Sequence, residues 1–364
     1  MRRYIEKVIL KIIEGILPTT VFDRIVIWWR RKVNKVKGKY PEVVFYKKKK
    51  AKKKYCVVRY ALPTFGIMAA GIQYIFCYYK LLDRGYIPVL DLEYEYSYRK
   101  ERIGEHGIWD LCFEQTIAAK DVVKEKYVLL TGELYDYSAD AKISDCLNGN
   151  KEDHYLHTKK DNFREYYAKA NELTASIWKV KESLVKELDE EIGDCLENHR
   201  VLGVFLRENF SSERCHANQA DSEVFTRHPL LPTVSETIEL IKNNLKHWNF
   251  DMIYLSTIYA DSVDIFKEEF GNMIVTIARE RRSIKEKPLV SFSNSEKELY
   301  ESYCKNIESG TYQVKSYIKD IVALSRCTYF LGGPSSGSAA ALTMNGGKYE
   351  DIYILEDRRK IMRY

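Results

Sequence analysis

Five compact apolar runs in the second half of the chain limit its fold more than any other feature: VLGVFL (201–206), DMIYLST (251–257), MIVTIA (273–278), CTYFLG (327–332) and DIYIL (351–355). Each is rich in β-branched and aromatic residues, the composition of a strand. Between them stand helical patterns: TVSETIELIKNNLKHW (233–248), SVDIFKEEF (262–270), VKSYIKDIVALSR (314–326) and SGSAAALTM (336–344). Strands alternating with helices predict a parallel sheet joined by right-handed crossovers. The first half repeats the theme less cleanly. YCVVRY (55–60), IPVLDLE (87–93) and YVLL (127–130) read as strands. GIQYIFCYYKLLDRG reads as a helix stopped by Gly85, AAKDVVKEK (118–126) reads as a second, and 162–196 is helical in pattern with a stop near Gly193. Two such halves predict two Rossmann-like domains with a cleft between them, ligands binding at the carboxyl ends of the strands.

The 364 residues fit two domains. The division expected is a basic segment over 1–54, a first domain over 55–196 and a second over 197–364. Charge marks the first boundary. Residues 1–54 carry 18 Lys/Arg and 4 Asp/Glu, a balance of +14, while the other 310 carry 40 against 48, a balance of −8. In IEKVILKIIEGIL (5–17) apolar residues recur at helical spacing, and Pro18 ends the pattern. Trp28 and Trp29 then sit beside a basic run, and YKKKKAKKKY (46–55) holds seven lysines. This composition suits docking on an anionic membrane surface, and it equally suits a helix packed on the protein followed by a solvated lysine loop. Nucleic acid is disfavoured as a partner, because the body is acidic and no recognition module accompanies the lysines. No apolar run reaches 18 residues, so no spanning helix is expected, and charges at Glu6, Lys7, Lys11 and Glu14 argue against a signal peptide. The eight cysteines are scattered without a CxxC pair or a Cys/His cluster, which disfavours a zinc site and a disulfide frame.

The candidate site draws on three strand ends. Arg207 directly follows GVFL, and its planar fork of donors suits a diphosphate. Ser256 and Thr257 close the second strand. The third stretch, LGGPSSGSAAALTMNGG (331–347), passes from strand to helix through Gly333, Ser335, Ser336, Gly337 and Ser338. Its hydroxyls and backbone N–H groups would sit at a helix N-terminus, a place that attracts anions. The same stretch also reads as a plain tight turn, since it is neither a Walker loop nor a GxGxxG. His228 is a further candidate, or a loop anchor. DLE (91–93) and DSVD (261–264) match DxD only at chance level, and no metal site is expected.

Taken in order, GVFLR, HPLLPTVSETIELIKNNL, FDMIYLST, FKEEFG, YIKDIVALSRC and LGGPSSGSAAALTMNGGKYEDIYI resemble the bacterial glycosyltransferases related to the nodulation fucosyltransferase and the protein O-fucosyltransferases. GYIPVLDLE and GIWDLCFEQ (107–115) extend the resemblance to the first half, so that it covers about residues 55–356. It implies a GT-B fold and a metal-independent, inverting transfer of a sugar, typically fucose from GDP-fucose. By the same resemblance Arg207 is the arginine on the donor diphosphate. Ser335, Ser336 and Gly337 correspond to the serine loop, and Thr257 to the strand-end threonine. The acceptor, a glycan or lipid-linked glycan in surface polysaccharide synthesis, would lie by Gly66, Phe113, Glu114 and Gln115, at the inner face of the membrane. The chain departs from the family where Arg207 is followed by Glu208, Asn209 and Phe210, where Thr257 is followed by Ile258 and Tyr259, and where Pro334 stands in the serine loop. The alternative that these departures raise is a catalytically degenerate relative that binds a glycan or a partner protein.

Overall fold

The computed structural model describes residues 42–45, 55–61, 66–83, 85–94, 102–125, 127–131, 163–206, 232–245, 247–281, 283 and 307–355. By contact they fall into two units, Met1–Leu111 with Gln115–Ala139, and Cys112–Glu114 with Asp140–Tyr364.

The first unit holds a four-stranded sheet of β1 (Glu42–Phe45), β2 (Tyr55–Ala61), β3 (Ile87–Glu93) and β4 (Tyr127–Thr131), in the order β1-β4-β2-β3. β2 runs parallel to β3 and β4, as the strand–helix alternation predicts. β1 departs from that expectation. It lies inside the stretch read as a basic helical arm, yet it pairs antiparallel with β4. Its EVVF sequence has the β-branched and aromatic composition of a strand. Helix α1 (Ile67–Asp83) packs on β2 and β3 and ends at Gly85, whose φ of 71° only glycine adopts readily. One-turn helices α2 (Ile108–Cys112) and α3 (Ala119–Val122) follow β3. Tyr55, Val57, Val89, Ala119, Val122, Tyr127 and Leu129 form a core on one face of the sheet.

The second unit holds a five-stranded, all-parallel sheet: β5 (Val201–Phe205), β6 (Met252–Ser256), β7 (Ile274–Val275), β8 (Tyr329–Gly332) and β9 (Asp351–Ile354). All five lie within the runs the sequence marks. β5 is buried along its length, as a central strand covered on both faces must be. One face carries Leu202, Val204, Ile253, Leu255 and Leu331 against α6 (Val234–Asn244) and α7 (Ala260–Phe270). α6 starts at a capping box, Thr233 Oγ1 accepting from Glu236 N at 3.2 Å while the Glu236 carboxylate accepts from Thr233 N at 2.8 Å. The other face meets α8 (Ile307–Arg326), where Tyr254 donates to Asp320 at 2.6 Å.

Two further differences from expectation have local causes. MIVTIA pairs with β6 only at Ile274 and Val275. Beyond them the chain brings Arg279 into a buried ion pair with Asp320, 2.5 Å away beneath the sheet. The helical stretch 162–196 is two helices, α4 (Phe163–Thr174) and α5 (Glu182–Asn198). Between them Val180 forms a β-bridge with Phe113, while Glu114 N and Lys181 N donate across to Lys179 O and Cys112 O. Pairing of the backbone with 112–114 interrupts the helix. α4 contacts α9 (Ser336–Asn345), and α5 contacts α8, so both belong to the second unit.

Candidate functional site

The strand order β7-β6-β5-β8-β9 reverses between β5 and β8. From β5 the chain steps to β6 and β7 on one side, then crosses to β8 and β9 on the other. In an open parallel sheet the crevice for a ligand lies outside the carboxyl ends of the strands at this switch point. β8 ends at Gly332 and leads through Gly333 and Pro334 into α9. The glycine–serine turn therefore stands at the switch point, beside the end of β5.

Its geometry is tight. Ser335 is the N-cap of α9, its hydroxyl accepting from Ser338 N at 3.2 Å. Ser338 Oγ donates to Gly333 O at 2.5 Å and lies 3.1 Å from Ser335 Oγ. Both serines are buried, so these two hydroxyls hold the turn instead of facing a ligand. The first N–H groups of a helix have no partner within it. With Ser338 N capped, those of Ser336 and Gly337 are the donors that α9 directs at the crevice, and the Ser336 side chain is half-buried there. Gly337 has no room for a side chain: a Cβ would stand 2.6 Å from the Phe205 ring and 2.6 Å from Tyr317 Oη. The missing Cβ lets α9 sit against the end of β5. Gly332 is confined in the same way, by the Phe330 ring at 2.8 Å.

Ser256 ends β6 next to β5, is buried, and accepts from Leu206 N through its carbonyl at 3.0 Å. Thr257 is buried too, and its Oγ1 accepts from Tyr259 N at 3.1 Å, closing the turn into α7. Ile258, between them, is exposed. The structure thus brings Ser256, Thr257, Gly333, Ser335, Ser336, Gly337 and Ser338 to one edge of one sheet. Arg207 and His228 lie outside the described residues, as do residues 1–41 and 46–54 of the basic segment.

The expected acceptor residues fall in both units, Gly66 and Gln115 in the first and Phe113 and Glu114 in the second. Gly66 is exposed and accepts from Ala70 N, opening α1. Phe113 is fully buried in the bridge with Val180. Glu114 pairs with Lys179 at 2.6 Å on the surface of the second unit. Gln115 acts as a backbone mimic. Its amide accepts from Leu90 N at 2.7 Å and donates to Leu90 O at 3.0 Å, which covers part of the edge strand β3, and it also donates to Asp110 at 2.8 Å.

A second polar cluster, which sequence reasoning passed over, sits at the carboxyl edge of the first sheet. Side chains of one face are Tyr55, Val57, Arg59 along β2 and Val89, Asp91, Glu93 along β3, apolar first and charged toward the carboxyl end. Arg59 and Asp91 are paired in register, and their side chains meet at 3.0 Å, both fully buried. The loop after β3 folds back onto these acids. Gly104 N donates to Asp91 at 3.1 Å, while His106 N and Gly107 N donate to Glu93 at 3.1 Å. His106 Nδ1 lies 2.7 Å from Glu93 Oε2. Burial pushes the Asp91 carboxyl up to about 7 against the pull of Arg59, with Glu93 adding to the rise, and burial raises Glu93 as well. The available signal was the register: a parallel pairing of β2 with β3 sets Arg59 opposite Asp91. Among the described residues no group of three His, Cys, Asp or Glu side chains has the arrangement of a metal site.

The switch point and the all-parallel sheet, with helices on both faces, define the second unit as a doubly wound α/β domain. No protein-family model matches the chain, and no curated protein matches it. Among solved structures it is similar to the NodZ α-1,6-fucosyltransferase co-crystallized with GDP, at 14% identity and a TM-score of 0.44 over 79% of this chain and 92% of that one. It is similar also to the NodZ fucosyltransferase from Bradyrhizobium, at 13% identity and a TM-score of 0.43 over 79% and 92%. A third is the apo form of POFUT1, at 9% identity and 0.41 over 83% and 97%.

Proposed function

We propose that this protein is a glycosyltransferase of the fucosyltransferase type, whose second unit holds a nucleoside-diphosphate sugar, GDP-fucose foremost. The observation that carries the reading is the position of the Gly333–Ser338 turn at the switch point of the all-parallel sheet, where β8 feeds α9. Backbone N–H groups of Ser336 and Gly337 and the positive end of α9 favour a diphosphate there. Arg207, next in the chain after the strand-end residue Leu206, supplies a permanent charge for the same group. The order of segments that resembles the fucosyltransferase family supports the sugar donor over a dinucleotide. The GT-B architecture, the metal-independent inverting course, a glycan or lipid-linked glycan acceptor and a role in surface polysaccharide synthesis follow from that resemblance. The basic residues of 1–54 would hold the enzyme on the anionic inner face of a membrane. Among the described residues no helix is long and apolar enough to cross one.

In the reaction an acceptor hydroxyl attacks the anomeric carbon, and the electron pair of the broken C–O bond leaves on the diphosphate. Arg207 and the α9 N–H groups stabilise that developing charge. The test is turnover of a nucleotide-sugar panel by the purified chain and its Arg207→Ala variant. Hydrolysis or transfer from one donor, reduced by about 100-fold or more in the variant, is the expected result. Unchanged turnover in Arg207→Ala would exclude the assignment. One observation favours a second reading, a non-catalytic relative that binds a glycan or a partner. The β6 end carries an exposed Ile258 after Thr257, whose hydroxyl is engaged in its own turn, so no acid stands at that strand end.

A further inference from the structure

We infer that Arg281 reads the base of the donor nucleotide and selects guanine, its guanidinium donating to O6 and N7; the assignment rests on the glycosyltransferase reading and lies wholly within the second unit. Beyond β7 the chain crosses the carboxyl edge of the second sheet from α8 to α7. Tyr312 of α8 donates to Ala278 O at 3.1 Å, and Gln313 donates to the Glu280 carboxylate at 3.2 Å. At the other end of the crossing, Ser283 donates to Asp261, in the first turn of α7, at 3.3 Å. Arg281 stands between these anchors. Its Nη2 donates to Ile277 O at 3.0 Å, just past the end of β7, so the guanidinium is held at that edge.

Two arginines leave this crossing, and they are used differently. Arg279 is spent inside the domain: it pairs with Asp320 at 2.5 Å and donates to Gln313 at 3.1 Å, and its side chain is 5% exposed. Arg281 is half-buried, and among the described residues no carboxylate pairs with it. The Nε atoms of both are buried without a hydrogen-bond partner, but only Arg279 has an acid beside it to neutralise the charge. Burial holds the Arg281 guanidinium below its usual pKa, against the pull of Asp320 and with the push of Arg279. An arginine that only braced the loop would close on an acid, as Arg279 does. Arg281 keeps most of its planar fork for acceptors that the chain does not supply.

The spacing fits a nucleotide laid along the edge. In the order β7-β6-β5 the α9 N–H groups stand beside β5 and Arg281 stands past β7, two strand spacings or about 10 Å away. That is the span from the diphosphate of a nucleotide to the far edge of its base. Between them, after the end of β6, the Ile258 side chain is 36% exposed and offers an apolar surface for the nucleoside. Apolar surface with a few placed polar groups is the usual make-up of a small-molecule site. Guanine presents two neighbouring acceptors, O6 and N7, which the donor-only fork of an arginine matches. Adenine sets an amino donor where guanine has O6, and uracil has no N7.

The experiment measures binding of GDP, IDP, 7-deaza-GDP, ADP and UDP to the full chain by calorimetry. The wild type is expected to bind GDP about 5- to 150-fold more tightly than ADP or UDP, the discrimination of a bidentate pair. IDP keeps O6 and N7 and should bind like GDP, whereas 7-deaza-GDP, which lacks N7, should bind more weakly. Arg281→Met should lower GDP affinity by about 5- to 150-fold and leave ADP and UDP nearly as they are, so that the preference collapses. Arg281→Lys, which keeps the charge and loses the fork, should erase the gap between GDP and 7-deaza-GDP. An equal loss for GDP, ADP and UDP in Arg281→Met would overturn the assignment, because the arginine would then serve the shared diphosphate or the fold. A wild type that binds GDP no better than ADP, or 7-deaza-GDP as tightly as GDP, would also overturn it while leaving the donor reading in place. No binding of any of these nucleotides by the wild type would overturn the donor reading itself, and this assignment with it.

Discussion

The carboxyl edges of the two sheets answer the same topological demand with opposite chemistry. In the second sheet the edge offers backbone dipoles. Ser335, Ser338 and Thr257 have their hydroxyls engaged in the turns that shape it, and Gly337 clears the space for α9 to approach β5. Nothing in that turn titrates near neutral pH. In the first sheet the edge offers ionisable groups: Arg59, Asp91, Glu93 and His106, three of them buried. Fixed dipoles suit a ligand that is always anionic, such as a diphosphate. A carboxylate–imidazole pair suits a group that must give up a proton.

The largest effect expected comes from breaking the ionic edge. Arg59→Met leaves a buried acid without its cation and should cost about 3–5 kcal/mol in urea denaturation. The loss should be smaller at pH 5 than at pH 8, because protonation neutralises Asp91 at the lower pH. Asp91 also gives the wild type a pH dependence. Its carboxyl is raised from the usual 3.8 to about 7, so the folded state holds the proton more tightly. The stability this contributes is complete below about pH 4 and is lost as the pH rises through 7. Asp91→Asn should flatten that slope, as read from urea midpoints at pH 5 and pH 8.

The dipolar edge should fail by packing. Gly337→Ala forces a methyl into the Phe205 and Tyr317 contacts and should cost about 1–3 kcal/mol. It should also weaken GDP binding by more than its effect on the melting temperature of the ligand-free protein would suggest. Ser335→Ala removes the cap of α9 and should cost about 1 kcal/mol in thermal denaturation, with no change in the pH–rate profile. The smallest effect belongs to neither edge. Glu114→Ala loses only an exposed pair with Lys179, and should leave both the melting temperature and the donor affinity nearly as they are. A large loss of transfer in that variant would assign Glu114 to the acceptor site.

Much of this contrast was legible in the residues before the fold was known. β3 occupies the whole of IPVLDLE, and the five runs of the second half each contain a strand, because parallel strands covered by helices are written as short apolar blocks. The turn at 332–338 was legible as a strand-to-helix junction for the same reason. Long-range pairing was not legible. β1 hides among lysines, the bridge of Val180 to Phe113 divides α4 from α5, and Arg279 turns away from β6 to reach Asp320. The site followed the same rule. Gly337 could be read as a close approach, but the engagement of Ser335 and Ser338 with each other depends on the cap geometry. DLE looked like a chance DxD until the register set Asp91 beside Arg59 and the loop laid His106 on Glu93.

The most direct measurement is amide hydrogen exchange of the full chain with and without GDP. Protection on GDP addition is expected in peptides covering 331–340 and 201–210, the ends of β8 and β5 with the start of α9, and it should be lost in Arg207→Ala. GDP that binds without slowing exchange in those peptides, or that protects only segments elsewhere, would contradict a donor site at the switch point of the second sheet.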